Sequence, residues 1–302
     1  MKSTASLPEL RLSLPPGLTA VCHSAMATEF VFHLGGHAPE YLRQAAVEAT
    51  REIDRLESTL SFYRESSEVT RLNRAPAGAE IAVGPDMLAC LALAAEAARL
   101  TNGAFDAFTG RAALSAKRQD VPLHLAAVPG AGETDAPGPV VSLHPEEGIV
   151  RKLRSGPWLD LGALGKGYAL DAVAELLAGW DIAEGMLSSG GSSLRGLGGK
   201  PVKLEIGPAQ ATVSLPGNFS LGASGFQFQA GHIIDVRPWR TTAPAARAVV
   251  VAPTAALADA LSTAAILLDA DQLAALAATQ PGLAILAIDR GGKSRAYGAP
   301  FG

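Results

Sequence analysis

The sequence predicts an α+β fold of mixed, largely antiparallel sheets with packed helices. Two long segments, 39–60 and 85–100, place apolar residues at helical spacing. Many short apolar runs follow, bounded by glycine or proline, as strands are. Helices and strands come in mixed order rather than in strict alternation, which favours antiparallel pairing over a doubly wound parallel sheet.

Residues 1–20 read as an irregular N-terminal arm, interrupted by Pro8, Pro15 and Pro16. Glu29 to Leu34, rich in Phe and Val, reads as a buried strand closed by Gly35-Gly36. In 39–60, Leu42, Ala45, Ala46, Ile53, Leu56 and Leu60 share one face, with acids and bases between them. Pro85 suits the first turn of a second helix reaching Leu100. Thr101-Asn102-Gly103 stops it, with Gly103 in a left-handed position.

Residues 118–139 are rich in Pro, Gly and Ala and read as a loop or insertion. Residues 140–143 and 148–153 pair as a hairpin around His144-Pro145-Glu146-Glu147. A glycine-punctuated turn at 160–167 leads into a helix from Tyr168 to Leu177. Met186 to Gly191 repeats the strand-then-glycine pattern. Short strands are predicted at 202–206, 212–216, 219–223, 246–252 and 282–289, with an alanine-rich helix over 253–268. No repeat of fixed period is present, so 21–302 reads as one domain behind the arm.

The net charge of -4 offers no basic face, which argues against a nucleic-acid partner. The 2 cysteines, Cys22 and Cys90, form no C-x-x-C pair and read as thiols rather than a zinc site or disulfide framework. No apolar run approaches the length of a membrane helix, so no transmembrane segment is expected. The first residues lack the apolar core of a secretory signal, and a cytoplasmic location is expected.

The most informative segment is Asp160-Leu-Gly-Ala-Leu-Gly-Lys-Gly-Tyr-Ala-Leu-Asp171. Glycines let backbone approach a ligand, and a helix start offers N–H groups to an anion. Lys166 adds a point charge suited to phosphate. The spacing is neither that of a Walker loop nor of the dinucleotide fingerprint. Taken alone, the segment reads equally as an ordinary turn with a solvated lysine.

Other segments could converge with it. Gly103-Ala104-Phe105-Asp106 sets an aromatic and a carboxylate just past a helix end. Asp259 and Thr263 lie four apart on the alanine-rich helix and share a face, forming half of a site for a hard cation such as Mg²⁺. His232 stands in His-Ile-Ile-Asp. Each has a plainer reading: Tyr63 and Phe105 as core aromatics, His232 as a structural histidine, Asp259 as a surface charge, and Thr263 bonded back to its own helix.

In combination these segments resemble the ApbE family, bacterial flavin transferases that move FMN from FAD onto a hydroxyl of a target protein. The resemblance runs from about Met26 to Leu268, with its motifs in order. They are Met26-Ala27-Thr28; Leu60-Ser61-Phe62-Tyr63 with Ser67-Glu68 and Leu72-Asn73; Thr101 to Asp106; Asp160 to Asp171; Ser224-Gly225; His232 to Asp235; and Ala258 to Ala264.

The resemblance implies a T-fold-like architecture and roles for particular residues. Asp259, Thr263 and the carbonyl of Ala163 would hold Mg²⁺ against the FAD diphosphate. Met26 and Tyr63 would contact the flavin. Ala104, Phe105, Asp106, Asp160, Lys166 and Ile233 would line the rest of the FAD site, and His232 would be the base near the acceptor hydroxyl. The implied partner is an acceptor flavoprotein presenting a Thr or Ser.

Departures from the family pattern fall at Ala107-Phe108, at Ser188 to Ser192, at Ala223 and at Val236 to Trp239. They keep two other functions open: a divergent FAD-binding protein that transfers nothing, and a hydrolase splitting FAD into FMN and AMP.

Overall fold

A computed structural model describes residues 10–14, 16–116, 119–126, 138–156, 158–206, 211–225 and 245–301. The chain opens with β1 (Leu10–Ser13), β2 (Thr19–Ala25) and β3 (Thr28–Leu34), then α1 (Pro39–Leu60) and α2 (Glu68–Arg74). Next come β4 (Glu80–Ala82), α3 (Pro85–Leu100), α4 (Gly110–Ala116) and α5 (Leu123–Ala126). The hairpin β5 (Val141–His144) and β6 (Ile149–Lys152) precedes α6 (Gly165–Ala178). Then follow β7 (Gly185–Ser189), β8 (Ser193–Gly198), β9 (Val202–Ile206), β10 (Ala211–Leu215) and β11 (Ser220–Gly225). The chain closes with β12 (Arg247–Val251), α7 (Ala255–Ala265), α8 (Ala270–Ala277), β13 (Ala284–Ile288) and β14 (Ser294–Tyr297).

Eight strands form one sheet in the order β14-β13-β12-β11-β8-β7-β3-β2. Two three-stranded sheets, β1-β9-β10 and β4-β6-β5, complete the set, and the strand pairs in all three are antiparallel. The α+β class with largely antiparallel sheets is thus the observed one.

The large sheet is buried on both faces at β12 and β13. Ala248, Val250, Ile285 and Ala287 join the main core with α1, α3, α6 and α7. Their neighbours Val249, Val251, Ala284, Leu286 and Ile288 point the other way, into a second core with Val202, Leu204 and Leu215 of the β9–β10 hairpin. Two-residue alternation on central strands explains why β12 and β13 read as unbroken apolar runs.

α1 and α3 have the expected bounds, each with proline in its first turn. The buried residues of α1, from Leu42 to Leu60, make one stripe that faces the core. α7 is different: ten of its eleven residues are buried, and most are alanines that admit close neighbours.

The structure corrects the reading at several elements. The arm over 1–20 is not irregular throughout: β1 pairs with β9, and β2 begins at Thr19. The 118–139 segment contains the short helix α5. The helix expected from Tyr168 starts at Gly165, because Gly165 N–H already closes onto the Leu161 carbonyl at 2.7 Å. α2, seven residues long, is capped by Ser67, whose hydroxyl accepts from the Thr70 N–H at 3.0 Å. Among the described residues no helix is long and apolar enough to cross a membrane.

Candidate functional site

Lys166 and Gly167 lie in the first turn of α6, where N–H groups have no partner inside the helix. The Gly167 N–H donates instead to Asp259 Oδ2 of α7 at 2.9 Å. The Ser193 hydroxyl of β8 donates to the same oxygen at 2.8 Å. Among the described residues no hydrogen bond reaches Asp259 Oδ1 or the Ala163 carbonyl. Asp259 is therefore not a surface charge: it is 5% exposed. Burial pushes its pKa up, Lys166, Ser193 and Gly167 pull it back, and Asp171 adds to the rise, leaving it at about 6.

The two helices meet through glycine and carboxylate. A Cβ at Gly167 would overlap the Ala255 carbonyl and lie 2.6 Å from the Ala256 nitrogen. One turn further along α7, a Cβ at Gly222 of β11 would overlap Ala258 and lie 2.6 Å from the Asp259 nitrogen. Asp171 spans the junction, accepting from the Ala255 N–H at 3.0 Å and the Ala256 N–H at 2.9 Å. It thereby caps α7, and the capping carboxylate suits the positive end of the helix. Burial holds its pKa above the ordinary carboxylate value, against those two hydrogen bonds and nearby Arg195.

Hydroxyls gather one turn further along α7. Thr263 Oγ1 donates to the Asp259 carbonyl at 3.2 Å, the back-bonding already weighed from its sequence position. It also lies 3.2 Å from Ser224 Oγ, which is 2.8 Å from Ser262 Oγ. A hydroxyl that gives its proton to a carbonyl still has lone pairs for a cation.

The Asp160 end of the same turn joins a second group of predicted residues. Asp160 Oδ1 accepts from the Gly162 N–H at 2.8 Å, and its own N–H donates to the Ala107 carbonyl at 2.8 Å. Burial, then the Asp160 charge, raises the pKa of Tyr63, whose hydroxyl donates to Gln119 Oε1 at 3.2 Å. Tyr63 is 56% exposed, so it is not a core aromatic, whereas Phe105 at 3% is buried. Ala104 is buried too, and Asp106 is exposed, its carboxylate accepting from the Phe108 N–H at 2.8 Å. Thr101 pins this loop: its hydroxyl donates to the Ala97 carbonyl at 2.7 Å and accepts from the Phe105 N–H at 3.0 Å.

Met26 sits at the tip of the β2–β3 hairpin. A two-residue turn between paired Ala25 and Thr28 requires left-handed backbone at both positions, and Met26 (φ 50) and Ala27 (φ 57) supply it without glycine. Glu57 of α1 holds the tip, accepting from the Met26 N–H at 3.1 Å and from Arg64 at 2.8 Å. It links the hairpin to the loop that carries Tyr63.

Three turns or strand ends share one end of the large sheet: Met26-Ala27, Gly190-Gly191 and the end of β11 at Gly225. Description resumes at Ala245, and His232 and Ile233 fall between, outside the described residues, as do Val236 to Trp239.

The structure thus brings the Lys166 turn, Asp259 and Thr263 together, and ties Asp160 to the 104–107 loop through the Ala107 carbonyl. The stretch from Asp160 through Ala163 to Lys166 joins the two groups. Reasoning from sequence missed Ser193, Glu57 and the part played by Asn73. Asn73 exchanges two hydrogen bonds with Leu159, at 2.9 and 2.7 Å, fixing the extended segment that delivers Asp160. Its place in the Leu72-Asn73 motif was a signal; Ser193 carried none.

No cluster of three or more His, Cys, Asp or Glu side chains poised for a metal occurs among the described residues. A cation here would rest on one carboxylate oxygen with hydroxyl and carbonyl oxygens. That all-oxygen set fits a hard ion that keeps other ligands of its own, as Mg²⁺ does.

The family model described as ApbE family matches residues 26–287. Solved structures resemble the chain in fold. The flavin transferase ApbE from Vibrio cholerae has a TM-score of 0.76 at 22% identity, covering 95% of this chain and 100% of its own. The ApbE protein from Thermotoga maritima gives 0.76 at 21%, covering 93% and 97%. The flavinyl transferase ApbE of Pseudomonas stutzeri, in its apo form, gives 0.76 at 22%, covering 95% and 98%. Among curated proteins, none matches.

Proposed function

The chain belongs to the ApbE family, and on that premise we propose that it is a transferase moving FMN from FAD onto a Thr or Ser hydroxyl of an acceptor protein, releasing AMP. The names of the similar structures, flavin transferase and flavinyl transferase, support this reading. The observation that carries it is the first turn of α6. There the Gly167 N–H, next to Lys166, binds an Asp259 carboxylate whose other oxygen no hydrogen bond reaches among the described residues.

In this reading Asp259 Oδ1, Thr263 Oγ1 and the Ala163 carbonyl hold Mg²⁺, and Lys166 faces the FAD diphosphate. When bound, the cation offsets charge that builds on the phosphate oxygens. Met26 and Tyr63 contact the flavin. Ala104, Phe105, Asp106, Asp160 and Ile233 shape the remainder of the pocket. The acceptor oxygen attacks the phosphorus on the FMN side, His232 takes its proton, and AMP departs with the electron pair of the broken P–O bond. A neutral imidazole is suited to that proton near pH 7.

The departures favour a second reading, a protein that holds FAD without passing FMN on. Ala107 and Ser192 meet their neighbours through backbone: their carbonyls accept from the N–H groups of Asp160 at 2.8 Å and Ala223 at 2.7 Å. Incubation with FAD and Mg²⁺, with and without an acceptor peptide, followed by mass spectrometry, separates the outcomes. FMN mass on the peptide supports transfer. AMP without acceptor marks a hydrolase, and FAD that binds by calorimetry yet stays intact under every condition marks a binder.

A further inference from the structure

Ser193 is completely buried in β8, opposite Ser189 of β7 and Gly222 of β11. We propose that Ser193 is a positioning residue for Asp259: together with the Gly167 N–H, its hydroxyl locks the carboxylate so that Oδ1 alone is presented to a divalent cation at the start of α6. The proposal rests on the reading of Asp259 as the charged cation ligand.

An apolar side chain would fill this strand position without desolvating a hydroxyl, and a buried hydroxyl is costly unless it is bonded. The Ser193 hydroxyl has its acceptor at 2.8 Å, and that acceptor is one oxygen of the Asp259 carboxylate. Rotation about the last bond of an aspartate side chain is soft, with a broad energy well. One donor would leave the plane of the carboxylate free to swing. Two donors from different elements, α6 backbone at 2.9 Å and β8 side chain at 2.8 Å, converge on Oδ2 and set that plane. Gly222 makes the meeting possible, since a side chain there would push α7 and Asp259 off the sheet. Partners that orient a metal ligand typically matter 10–100-fold in metal affinity.

The test is calorimetric titration of FAD into the full-length protein over a series of Mg²⁺ concentrations. For Ser193→Ala, FAD affinity without Mg²⁺ should match wild type, while the Mg²⁺ concentration giving half of the enhancement rises roughly 10–100-fold. Ser193→Thr, which keeps the hydroxyl, should return it towards wild type. Ser193→Cys, similar in size but a weak donor, should behave as alanine does, and it carries the comparison if the alanine variant does not fold. An unchanged Mg²⁺ midpoint in the hydroxyl-free variants overturns the proposal. So does equal loss of FAD binding with and without Mg²⁺, which would mark a general structural role. If wild type itself shows no Mg²⁺ effect, the reading of Asp259 has failed and the Ser193 role falls with it. A wild-type effect that Ser193→Ala leaves intact rejects Ser193 alone.

Discussion

The backbone N–H of Gly167 donates to Asp259 Oδ2 across 92 residues of sequence, at 2.9 Å. This bond satisfies a first-turn donor of α6 with a carboxylate from α7, and so ties the lysine turn to the proposed cation ligand.

Asp259→Asn should stabilise the metal-free protein above pH 6 and abolish any Mg²⁺ enhancement of FAD binding. Burial raises the pKa of Asp259 from the ordinary 3.8 to about 6, so the fold favours its protonated form. That contribution is complete below 3.8 and is lost as pH rises through about 6. At ~1.4 kcal/mol per pH unit, the ionised carboxylate costs about 3 kcal/mol. Denaturant melts at pH 5 and pH 8 check this: the gain from asparagine should be larger at pH 8.

Mg²⁺ enhancement of FAD binding should fade as pH drops below about 6, because a carboxylate must lose its proton to hold the cation. Calorimetry between pH 5 and pH 8 reads it directly. An Mg²⁺ midpoint that stays constant from pH 8 down to pH 5 would exclude Asp259 as the ligand.

Gly167→Ala should cost about 3 kcal/mol or more, as overpacking at a rigid contact does. The new methyl would overlap the Ala255 carbonyl, which is backbone and cannot rotate aside. Gly165→Ala, whose Cβ meets only the Leu161 side chain at 4.0 Å, should be far milder. Thermal melts of the two variants make the comparison.

Ala27→Gly should stabilise the protein by about 1 kcal/mol, since alanine is strained in left-handed backbone that glycine adopts freely. Ala27 stands at φ 57 in the β2–β3 turn. A lower unfolding midpoint for the glycine variant would show that the strain is absent.

His232→Ala should slow FMN transfer by roughly 10²–10⁴-fold with little change in FAD affinity, the usual effect of losing a general base. Timed reactions analysed by mass spectrometry report the rate. Equal rates for variant and wild type would remove His232 from the mechanism.

The amino-acid sequence by itself determined what depends on local pattern. The bounds of α1 and α3 follow from their apolar spacing and first-turn prolines. The lysine turn with its following helix, and the family motifs in order, were legible for the same reason: each lies within a short stretch of chain. β2 and the seven-residue α2 were not, because polar residues sit on their inner faces, Thr19 and His23 in β2 and Thr70 and Asn73 in α2, and break the apolar pattern. Only the tertiary structure decided that Asp259 is buried, that among the described residues hydrogen bonds reach Oδ2 and not Oδ1, and that Ser193 is its second partner. It likewise showed Phe105 buried and Tyr63 exposed, though both are aromatics in motifs of the same family. The reason is physical: which oxygen of a carboxylate meets which donor depends on strand register and on how closely helices dock. Those depend in turn on Gly167 and Gly222 lacking a side chain where α7 passes, at contacts between residues far apart in the chain.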